Sequence, residues 1–275
     1  MVCANFFAWL MVLDNAGPEK YLEATFFDVG QGDAAFVQAP NGVQIIIDGG
    51  PNDSILEKLG RAMPFYDRDI DWVILSHPDR DHVDGLLAVL KNYNVHNIIW
   101  SGIPKETAES SAWVDAVAKE GANVVVAAPG EKFVLAGSPE LILEILAPVG
   151  ANGSDKSSND ASVIAKLVYG QRSFLFTGDA TAKEERSIFA VNPETADILK
   201  VAHHGSKTSA DDTFFAELLP AAAVIPVGAT NPYGHPNAET LDLLAKYDIK
   251  TLRTDESGDI VFRTDGESIF VSTQK

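Results

Sequence analysis

Residues 76–82 read Ser76-His77-Pro78-Asp79-Arg80-Asp81-His82, and they indicate where the chemistry of this chain lies. They follow the apolar run Trp72–Leu75, which predicts a buried strand, and they precede Val83–Tyr93, whose apolar periodicity predicts a helix. Four potential metal ligands therefore stand within six positions, where a strand ends. Imidazole and carboxylate together suit zinc, manganese or iron. The stretch predicts a metal centre, although a solvated turn with an N-capping aspartate would explain Asp79 or Asp81 alone.

Two other histidine-containing segments also come after predicted strands. His203-His204-Gly205-Ser206 ends one apolar strand, and Gly234-His235-Pro236 follows the strand Ala223–Val227 through a loop rich in glycine and proline. Asp179 ends the second strand of a predicted hairpin, directly after a glycine. A lone aspartate in that position usually caps a turn or a helix. Beside the histidine clusters, a bridging metal ligand is the better interpretation.

The composition excludes several classes of protein. Of 275 residues, 46% are hydrophobic and 22% are charged, which is ordinary for a globular protein and excludes a disordered chain, a coiled coil or a collagen-like fibre. The net charge of −18 argues against a protein that coats DNA or RNA, which needs clustered lysine and arginine. An enzyme whose bound cations receive a phosphate remains compatible with that charge. The single cysteine, Cys3, excludes an internal disulfide framework and a zinc site built from cysteines.

The order of predicted elements indicates one domain over residues 21–275. Each half of the chain opens with a predicted hairpin and continues with alternating strands and helices. No long linker or internal repeat interrupts this order. Two similar layers that share one core are the predicted arrangement.

The N-terminal segment, residues 1–20, is predicted to be separate from that domain. Val2–Leu13 is almost entirely apolar, but it is shorter than the roughly 20 residues that cross a bilayer. It also lacks the basic residues of a signal peptide. We interpret it as the remnant of an anchor or signal segment, with a core-packing helix as the alternative. No transmembrane domain is predicted, and a bacterial location outside the cytoplasm or at the membrane is favoured.

Taken in order, these motifs resemble a known family. The metallo-β-lactamase fold has the same succession of a hairpin, a strand-end aspartate, a histidine and aspartate cluster, a later aspartate and a late histidine. Here these are Ile47-Asp48-Gly49-Gly50, residues 76–82, Thr177-Gly178-Asp179 and His203-His204-Gly205. The fuller motifs are similar to the soluble domain of the ComEC family of bacterial DNA-uptake channels. They are Asp28-Val29-Gly30-Gln31-Gly32-Asp33-Ala34, His203-His204-Gly205-Ser206-Lys207-Thr208-Ser209 and Tyr233-Gly234-His235-Pro236.

The resemblance implies a fold and a set of metal ligands. It implies an α+β protein, a four-layer αββα sandwich, with one or two divalent ions at one edge of its two sheets. His77 and Asp79 would serve one metal, Asp81 and His82 the second, and Asp179 would bridge them. His203 or His204 would complete the second site.

Two departures from the general fold bear on the identity of the metal. The fold usually has a histidine where Asp79 stands, and another where this chain has Ser158-Asn159-Asp160. The ComEC-like group resembles this chain at both places. Oxygen ligands are thus more numerous than in a typical zinc site, which either favours manganese over zinc or leaves the first metal weakly held.

The same positions suggest further roles. The catalytic candidates are Asp81, His204 and His235, and His235 or the non-ligand histidine of the 203–204 pair would protonate a leaving oxygen. Asp48 either orients a ligand histidine through its ring N–H or caps the Gly49-Gly50 turn. Gln31, Asp33 and Asn159 are predicted at the edge of the site, with a purely structural turn as the alternative for Gln31 and Asp33. Ser206 and Lys207 are predicted to bind substrate.

Three classes of function are compatible with these motifs. The favoured one is a metal-dependent nuclease or phosphodiesterase acting on DNA or RNA. The others are a hydrolase of small amides or esters, such as a β-lactamase or lactonase, and a non-catalytic accessory domain of a membrane DNA-uptake assembly. A nucleic acid would need a local basic track, which five residues near the motif loops could supply: Arg80, Lys156, Arg172, Lys200 and Lys207. An enclosed apolar pocket would instead favour a small substrate such as a β-lactam.

Overall fold

A computed structural model describes residues 21–137, 139–148, 157–191, 195–209 and 211–275 of the chain. The apolar segment of residues 1–20 lies outside the described residues, and so does Lys156. The described residues all belong to the domain predicted over residues 21–275.

Fifteen strands of the described residues form two mixed sheets. The first sheet has the order β15-β14-β1-β2-β3-β4-β5-β6. Its strands are β1 (Leu22–Phe26), β2 (Ala34–Gln38), β3 (Gln44–Gly49), β4 (Asp69–Ile74), β5 (Asn94–Trp100), β6 (Asn123–Val126), β14 (Ile260–Thr264) and β15 (Ile269–Thr273). The second sheet has the order β13-β12-β11-β10-β9-β8-β7. Its strands are β7 (Lys132–Gly137), β8 (Glu140–Ala147), β9 (Ile164–Tyr169), β10 (Arg172–Phe176), β11 (Ile198–Lys200), β12 (Ala222–Ile225) and β13 (Lys250–Arg253).

The helices connect the strands and cover the outer faces of the sheets. They are α1 (Ser54–Ala62), α2 (Arg80–Asn92), α3 (Ala108–Glu120), α4 (Ala182–Val191), α5 (Asp212–Leu218), α6 (Ala238–Lys246) and the short α7 (Thr254–Ser257). Single 3₁₀ turns span Asn159–Ala161 and Ala202–Gly205. Among the described residues, no helix combines the length and the apolar character needed to cross a membrane.

Three apolar cores separate the layers. The central core lies between the sheets, where Phe26 and Phe262 of the first sheet meet Phe174 and Phe176 of the second. A second core packs the first sheet against α1, α2 and α3, and a third packs the second sheet against α4, α5 and α6. The layer order is therefore helix, sheet, sheet, helix, which confirms the predicted αββα sandwich.

Both sheets change from antiparallel to parallel pairing at the same relative place. In the first sheet, β1, β2 and β3 pair antiparallel, and β3, β4, β5 and β6 then pair parallel. In the second, β8, β9 and β10 pair antiparallel, and β10, β11, β12 and β13 then pair parallel. This pattern agrees with the two hairpins predicted from the sequence. The carboxyl ends of the parallel strands carry the histidine and aspartate motifs, as is usual for α/β sheets.

The structure places part of the central motif on a helix rather than in a loop. The predicted helix Val83–Tyr93 starts three residues earlier, so Asp81 and His82 belong to the first turn of α2. Asp79 stands at the N-cap position, but its side chain makes no capping hydrogen bond to the helix. A capping role therefore does not account for this carboxylate.

Helix α2 lies unusually close to the strand that ends at the site. Gly85 of α2 faces Gly49 of β3, and a Cβ atom added to Gly85 would lie 1.8 Å from the Gly49 carbonyl oxygen. The obstacle is backbone, which cannot turn aside as a side chain does. The close approach holds the first turn of α2 against the end of β3.

We expect Gly85→Ala to destabilise the protein by about 1–3 kcal/mol, the usual cost of overpacking a close contact. Gly60→Ala is a matched control, because Gly60 also lies in a helix but has nothing within 4 Å of an added Cβ. That variant should gain roughly 0.5–1 kcal/mol. Denaturant unfolding of the three proteins measures the difference. Equal stability of Gly85→Ala and wild type would contradict the packing described.

Candidate metal centre

Loops and turns from both sheets bring the candidate residues to one edge of the sandwich. The first sheet contributes Asp33 before β2, Asp48 in β3, and residues 76–82 after β4. The second contributes Asn159 before β9, Asp179 after β10, the 203–204 pair after β11, and His235 after β12. The predicted ligands thus come from both halves of the chain.

His77, His82 and Asp179 form the innermost group. The Nε2 atom of His82 lies 3.4 Å from Oδ1 of Asp179, and Nε2 of His77 lies 3.9 Å from Oδ2 of Asp179. Each residue offers one ligand atom within 4.8 Å of the others. The two Nε2 atoms and Asp179 Oδ1 are buried, and none makes a well-formed hydrogen bond to the described residues. Unpartnered buried polar atoms cost about 1–3 kcal/mol each, so a cluster of them indicates an absent partner.

The opposite ring nitrogen of each inner histidine is held by a hydrogen bond. His82 Nδ1 lies 2.9 Å from Asp48 Oδ2, and His77 Nδ1 lies 3.0 Å from the Ser76 hydroxyl. That hydroxyl donates to Asp48 Oδ2 at 2.7 Å and so accepts from His77. His204 Nδ1 donates to the Pro226 carbonyl at 2.9 Å. Fixing Nδ1 in this way leaves Nε2 free to coordinate, which is the usual arrangement around metal-binding histidines.

Asp81 and His204 extend the group towards the surface. His204 Nε2 lies 3.2 Å from Asp81 Oδ2, and with His82 these two form a second set of three convergent ligand atoms. Burial alone would lower the pKa of His204, but the carboxylates of Asp179 and Asp33 outweigh it and raise the pKa to about 9. Burial and the neighbouring charge of His82 lower the pKa of His77 to about 4. The carboxylates therefore create a strongly negative potential around His204, which also attracts a cation.

Asp33 is paired with a buried lysine. Lys200 contacts the Asp33 carboxylate, donates to the Gly178 carbonyl at 2.5 Å and lies 3.7 Å from Asp179 Oδ1. Only 3% of Lys200 is exposed, so it cannot contribute to a surface track for nucleic acid. Burial alone would lower the pKa of Lys200, but Asp33 and Asp179 outweigh it and raise the pKa. The lysine stays charged and offsets part of the negative charge of the buried carboxylates.

The backbone is strained where it carries the site. Among the described residues, five other than glycine have positive φ, and three of them are Asp48, His203 and His204 with φ of 56°, 51° and 52°. This left-handed conformation costs a residue with a Cβ roughly 1–2 kcal/mol. Consecutive strain at His203 and His204 turns the two rings to different places, with His204 buried and His203 30% exposed. Such strain is typical of functional positions.

Asp79 is engaged by a residue outside the predicted set. Lys105, from the loop after β5, donates to both oxygens of Asp79 at 2.8 and 3.0 Å. His77 Nε2 lies 3.9 Å from Asp79 Oδ2. Among the described residues, Asp79 belongs to no set of three convergent ligand atoms, in contrast to Asp179. The first of the two predicted metal positions is thus the less complete one in this structure.

The site opens into a cleft of about 160 Å³. Its described lining is polar and includes the predicted edge residues Gln31 and Asn159. The lining residues are Gln31, Asp79, Asp81, Asn159, Asp179, His203, His204, Tyr233 and His235. An enclosed apolar pocket, the feature predicted for a small-substrate hydrolase, is not what these residues form.

His203, His235 and Asn159 form the outer part of this lining. His203 Nε2 lies 3.8 Å from Asp179 Oδ2, its Nδ1 lies 3.4 Å from Asn159 Nδ2, and its ring centroid is 5.7 Å from that of His235. Burial, followed by the charges of His203 and His204, lowers the pKa of His235. His235 is therefore mostly neutral at neutral pH in the free protein.

The predicted substrate-binding residues lie apart from this lining. Ser206 is buried, and its hydroxyl pairs with the Thr208 hydroxyl at 3.0 Å. Lys207 is exposed, and its backbone N–H donates to Asn237 Oδ1 at 2.8 Å. Neither residue is among the described residues that line the cleft. Their roles in substrate binding stay predictions.

Three residues of the site have no role that the sequence alone predicts. Ser76 joins Asp48 to His77, and its position inside the motif is the signal that could have indicated it. Lys105 follows β5, so its place after a parallel strand is a signal too, but a single lysine in a loop is usually a surface residue. Tyr233 belongs to a motif of the sequence, and its place in the cleft depends on the loop conformation.

The residues present fit a divalent metal ion. The inner group offers two imidazole nitrogens and a carboxylate oxygen that are buried without a hydrogen bond among the described residues, and Asp81 with His204 adds a carboxylate and a third imidazole. This is a donor set that zinc, manganese and iron accept. The negative potential that raises the pKa of His204 also favours binding of a cation.

Comparison with known proteins gives the family. Residues 27–228 match the sequence profile of the Metallo-beta-lactamase superfamily, a span that contains every candidate ligand. The chain belongs to this superfamily. Its members are generally metal-dependent hydrolases. The predicted fold and family are thereby confirmed.

Two curated relatives within the superfamily support the finer resemblance. ComE operon protein 3 of Bacillus subtilis is 31% identical over 260 residues, covering 88% of this chain and 33% of the relative. Competence protein ComA of Neisseria gonorrhoeae is 30% identical over 253 residues, covering 90% and 33%. The predicted resemblance to competence proteins is confirmed. The chain spans about a third of the length of these relatives.

A solved structure confirms the fold at lower sequence identity. CmlA, a diiron β-hydroxylase from Streptomyces venezuelae, superimposes with a TM-score of 0.57 at 15% identity, covering 90% of this chain and 55% of CmlA. At that identity, the likeness concerns the architecture of the superfamily and not the reaction.

Proposed function

We propose that this domain is a metal-dependent phosphodiesterase that hydrolyses DNA or RNA. The observation that carries the proposal is the buried group of His77, His82 and Asp179, whose unpartnered atoms converge beside an open polar cleft of the described residues. A divalent ion bound there would supply Lewis acidity, which lowers the pKa of water from about 15.7 towards about 7, and positive charge for a phosphate. An open, polar cleft suits a segment of a nucleic acid better than it suits a small apolar substrate.

Hydrogen bonds between side chains position the groups that would hold the metal. Asp48 fixes His82 and, through Ser76, also His77, so both rings present Nε2 to the same point. Asp81 and His204 hold each other at the mouth of the cleft. Lys200 offsets Asp33 and so limits the negative charge that an anionic substrate meets.

His235 is the proposed proton donor to the leaving oxygen. It lines the cleft and lies outside the buried ligand group, beside His203. Its pKa is lowered in the free protein, but an anionic phosphate beside the ring would raise it, because an opposite charge favours the imidazolium. Binding of substrate thus supplies the protonated form that the step requires.

Relatives and electrostatics bear on the substrate in opposite directions. One of the relatives is named for competence, a process that handles DNA. The predicted basic track, in contrast, is reduced among the described residues: Lys200 is buried and Arg172 starts β10 at the far end from the site. Arg80, which pairs with Asp84 at 3.2 Å, and Lys207 are the exposed members of the track. We therefore propose that the site contacts only a few nucleotides of its nucleic acid substrate and binds the phosphate mainly through the metal.

Turnover of three substrates tests the proposal. Labelled single-stranded DNA, labelled RNA and a chromogenic β-lactam are incubated with the metal-loaded domain, and products are quantified. We expect cleavage of one or both nucleic acids and no β-lactam turnover. Turnover of the β-lactam alone would assign the domain to small-amide hydrolysis, and turnover of none would favour a non-catalytic accessory role.

Manganese is expected to support faster phosphodiester hydrolysis than zinc. The predicted ligand set has Asp79 and Asn159 where the general fold has histidines, and oxygen donors suit the harder ion. Rates measured over a concentration series of each metal, after removal of bound metal with a chelator, test this. Equal or higher rates with zinc throughout the series would refute it.

A further inference from the structure

The cleft contains one large aromatic side chain that the proposed chemistry does not use. Tyr233 lines the cleft together with His203, His235 and the carboxylates of the site. It is 66% exposed. Phe65 and Tyr66 are also strongly exposed, but they precede β4 and so lie at the end of the sheet opposite the site, and the exposed Phe270 is on β15. Tyr233 is thus an exposed ring at the place where substrate binds.

The ring of Tyr233 is oriented by its neighbour. It stacks on the His235 ring with 5.8 Å between centroids and 19° between planes. His235 is in turn 5.7 Å from the His203 ring, whose Nε2 lies 3.8 Å from Asp179. Two ring contacts therefore connect Tyr233 to the inner ligand group. Because most of Tyr233 is exposed, its ring can also accept a planar partner from the solvent side.

The loop that carries Tyr233 is fixed by hydrogen bonds. Asn231 accepts from the His235 N–H at 3.0 Å and donates to the carbonyls of Gly228 and His235 at 2.9 and 2.8 Å. The Gly228 N–H donates to Gln31 Oε1 at 3.1 Å, which ties the loop to the first sheet. A ring held in place before binding loses little entropy when a ligand stacks on it.

The cleft carries few positive charges that could bind phosphates, which favours recognition of a nucleic acid through stacking on its bases. The described lining residues are aspartates, histidines, two amides and Tyr233, with no lysine or arginine among them, and Lys105 at the rim is engaged by Asp79. A strand therefore finds little compensation for its phosphates away from the metal. A nucleobase is uncharged and has a π-face, and aromatic rings bind bases without regard to sequence.

We propose that Tyr233 binds, by stacking, a nucleobase that flanks the phosphate held at the metal centre. This rests on the proposed phosphodiesterase function and names its substrate class: a single strand with at least one unpaired base. Tyr233 is thus a specificity-determining residue and takes no part in the hydrolytic step.

Equilibrium binding tests the proposal without requiring turnover. Fluorescence anisotropy measures the Kd of a labelled oligothymidine strand and of an abasic strand of equal length, both with hydrolysis-resistant phosphorothioate linkages, with the metal-loaded domain. We expect wild type to bind the base-carrying strand about 5- to 150-fold more tightly than the abasic strand, the range known for one aromatic–base stack. Tyr233→Ala should reduce that ratio to about one, and Tyr233→Phe should preserve it, because the ring remains.

Tyr66→Ala is the matched control, because it removes an exposed tyrosine from the edge opposite the site. It should retain the wild-type ratio and the wild-type metal content. A wild-type ratio near one, failure of both strands to bind, or a ratio that survives in Tyr233→Ala overturns the proposal. Base-dependent binding without hydrolysis would instead reject the phosphodiesterase function and leave the role of Tyr233 standing.

Discussion

Asp81→Ala is expected to remove the bound metal and to lower phosphodiester hydrolysis by more than about 100-fold, while the protein stays folded. Loss of a residue that only supports a ligand typically costs about 10- to 100-fold in metal affinity or activity, and a direct ligand should cost more. Asp81 is on the first turn of α2 and forms a convergent set with His82 and His204. Its side chain is 33% exposed, so its removal leaves no large cavity.

Elemental analysis, turnover and thermal unfolding of the same preparation separate these effects. Asp84→Ala is the control, because Asp84 lies on the same helix but pairs with the exposed Arg80. That variant should retain metal and activity. Full metal content in Asp81→Ala would exclude Asp81 as a ligand.

His235→Ala is expected to keep its metal and to lose about 10²- to 10⁴-fold in turnover of a substrate with a poor leaving group, the usual contribution of general acid catalysis. His235 is half-buried, and its Nδ1 is buried without a hydrogen-bond partner among the described residues. Its ring lines the cleft, outside the inner ligand group. It can therefore reach a substrate oxygen without disturbing the buried ligands.

A nitrophenyl phosphodiester is the matched substrate for this variant. Its leaving group departs without a proton, so His235→Ala should lose much less activity on it than on a nucleic acid strand. Metal content is measured in parallel. If both substrates suffer alike and the metal is lost, His235 is a ligand and the assigned roles must be exchanged.

The sequence predicts that the candidate ligands come together, because each of them stands at the end of a strand. His77, Asp179 and His204 each follow a short, mainly apolar run that the sequence predicts as a strand, and parallel strands bring such ends together. The hydrophobic periodicity of each element and the succession of elements along the chain can be read from the spacing of residues. These patterns predict two similar layers around one core, whereas the four-layer sandwich is implied by the family resemblance.

Contacts between distant loops cannot be predicted in this way. The pairing of Lys105 with Asp79 depends on the path of the loop after β5, and the burial of Lys200 runs against the usual exposure of lysine. The start of α2 at Arg80 is also beyond the pattern, because Asp81 and His82 contribute no apolar periodicity to the helix. Each depends on tertiary neighbours and not on sequence spacing.

The division of the inner group between two sheets has a consequence for the order of folding. His77 and His82 follow β4 of the first sheet and Asp179 follows β10 of the second, so the atoms that must meet are far apart along the chain. Contacts of such long sequence separation form late, because the chain entropy lost in closing the loop is not recovered until both partners are in place. The apolar faces of the two sheets must therefore associate before the cation site exists, and an ion that binds afterwards slows the separation of the two halves more than it speeds their assembly.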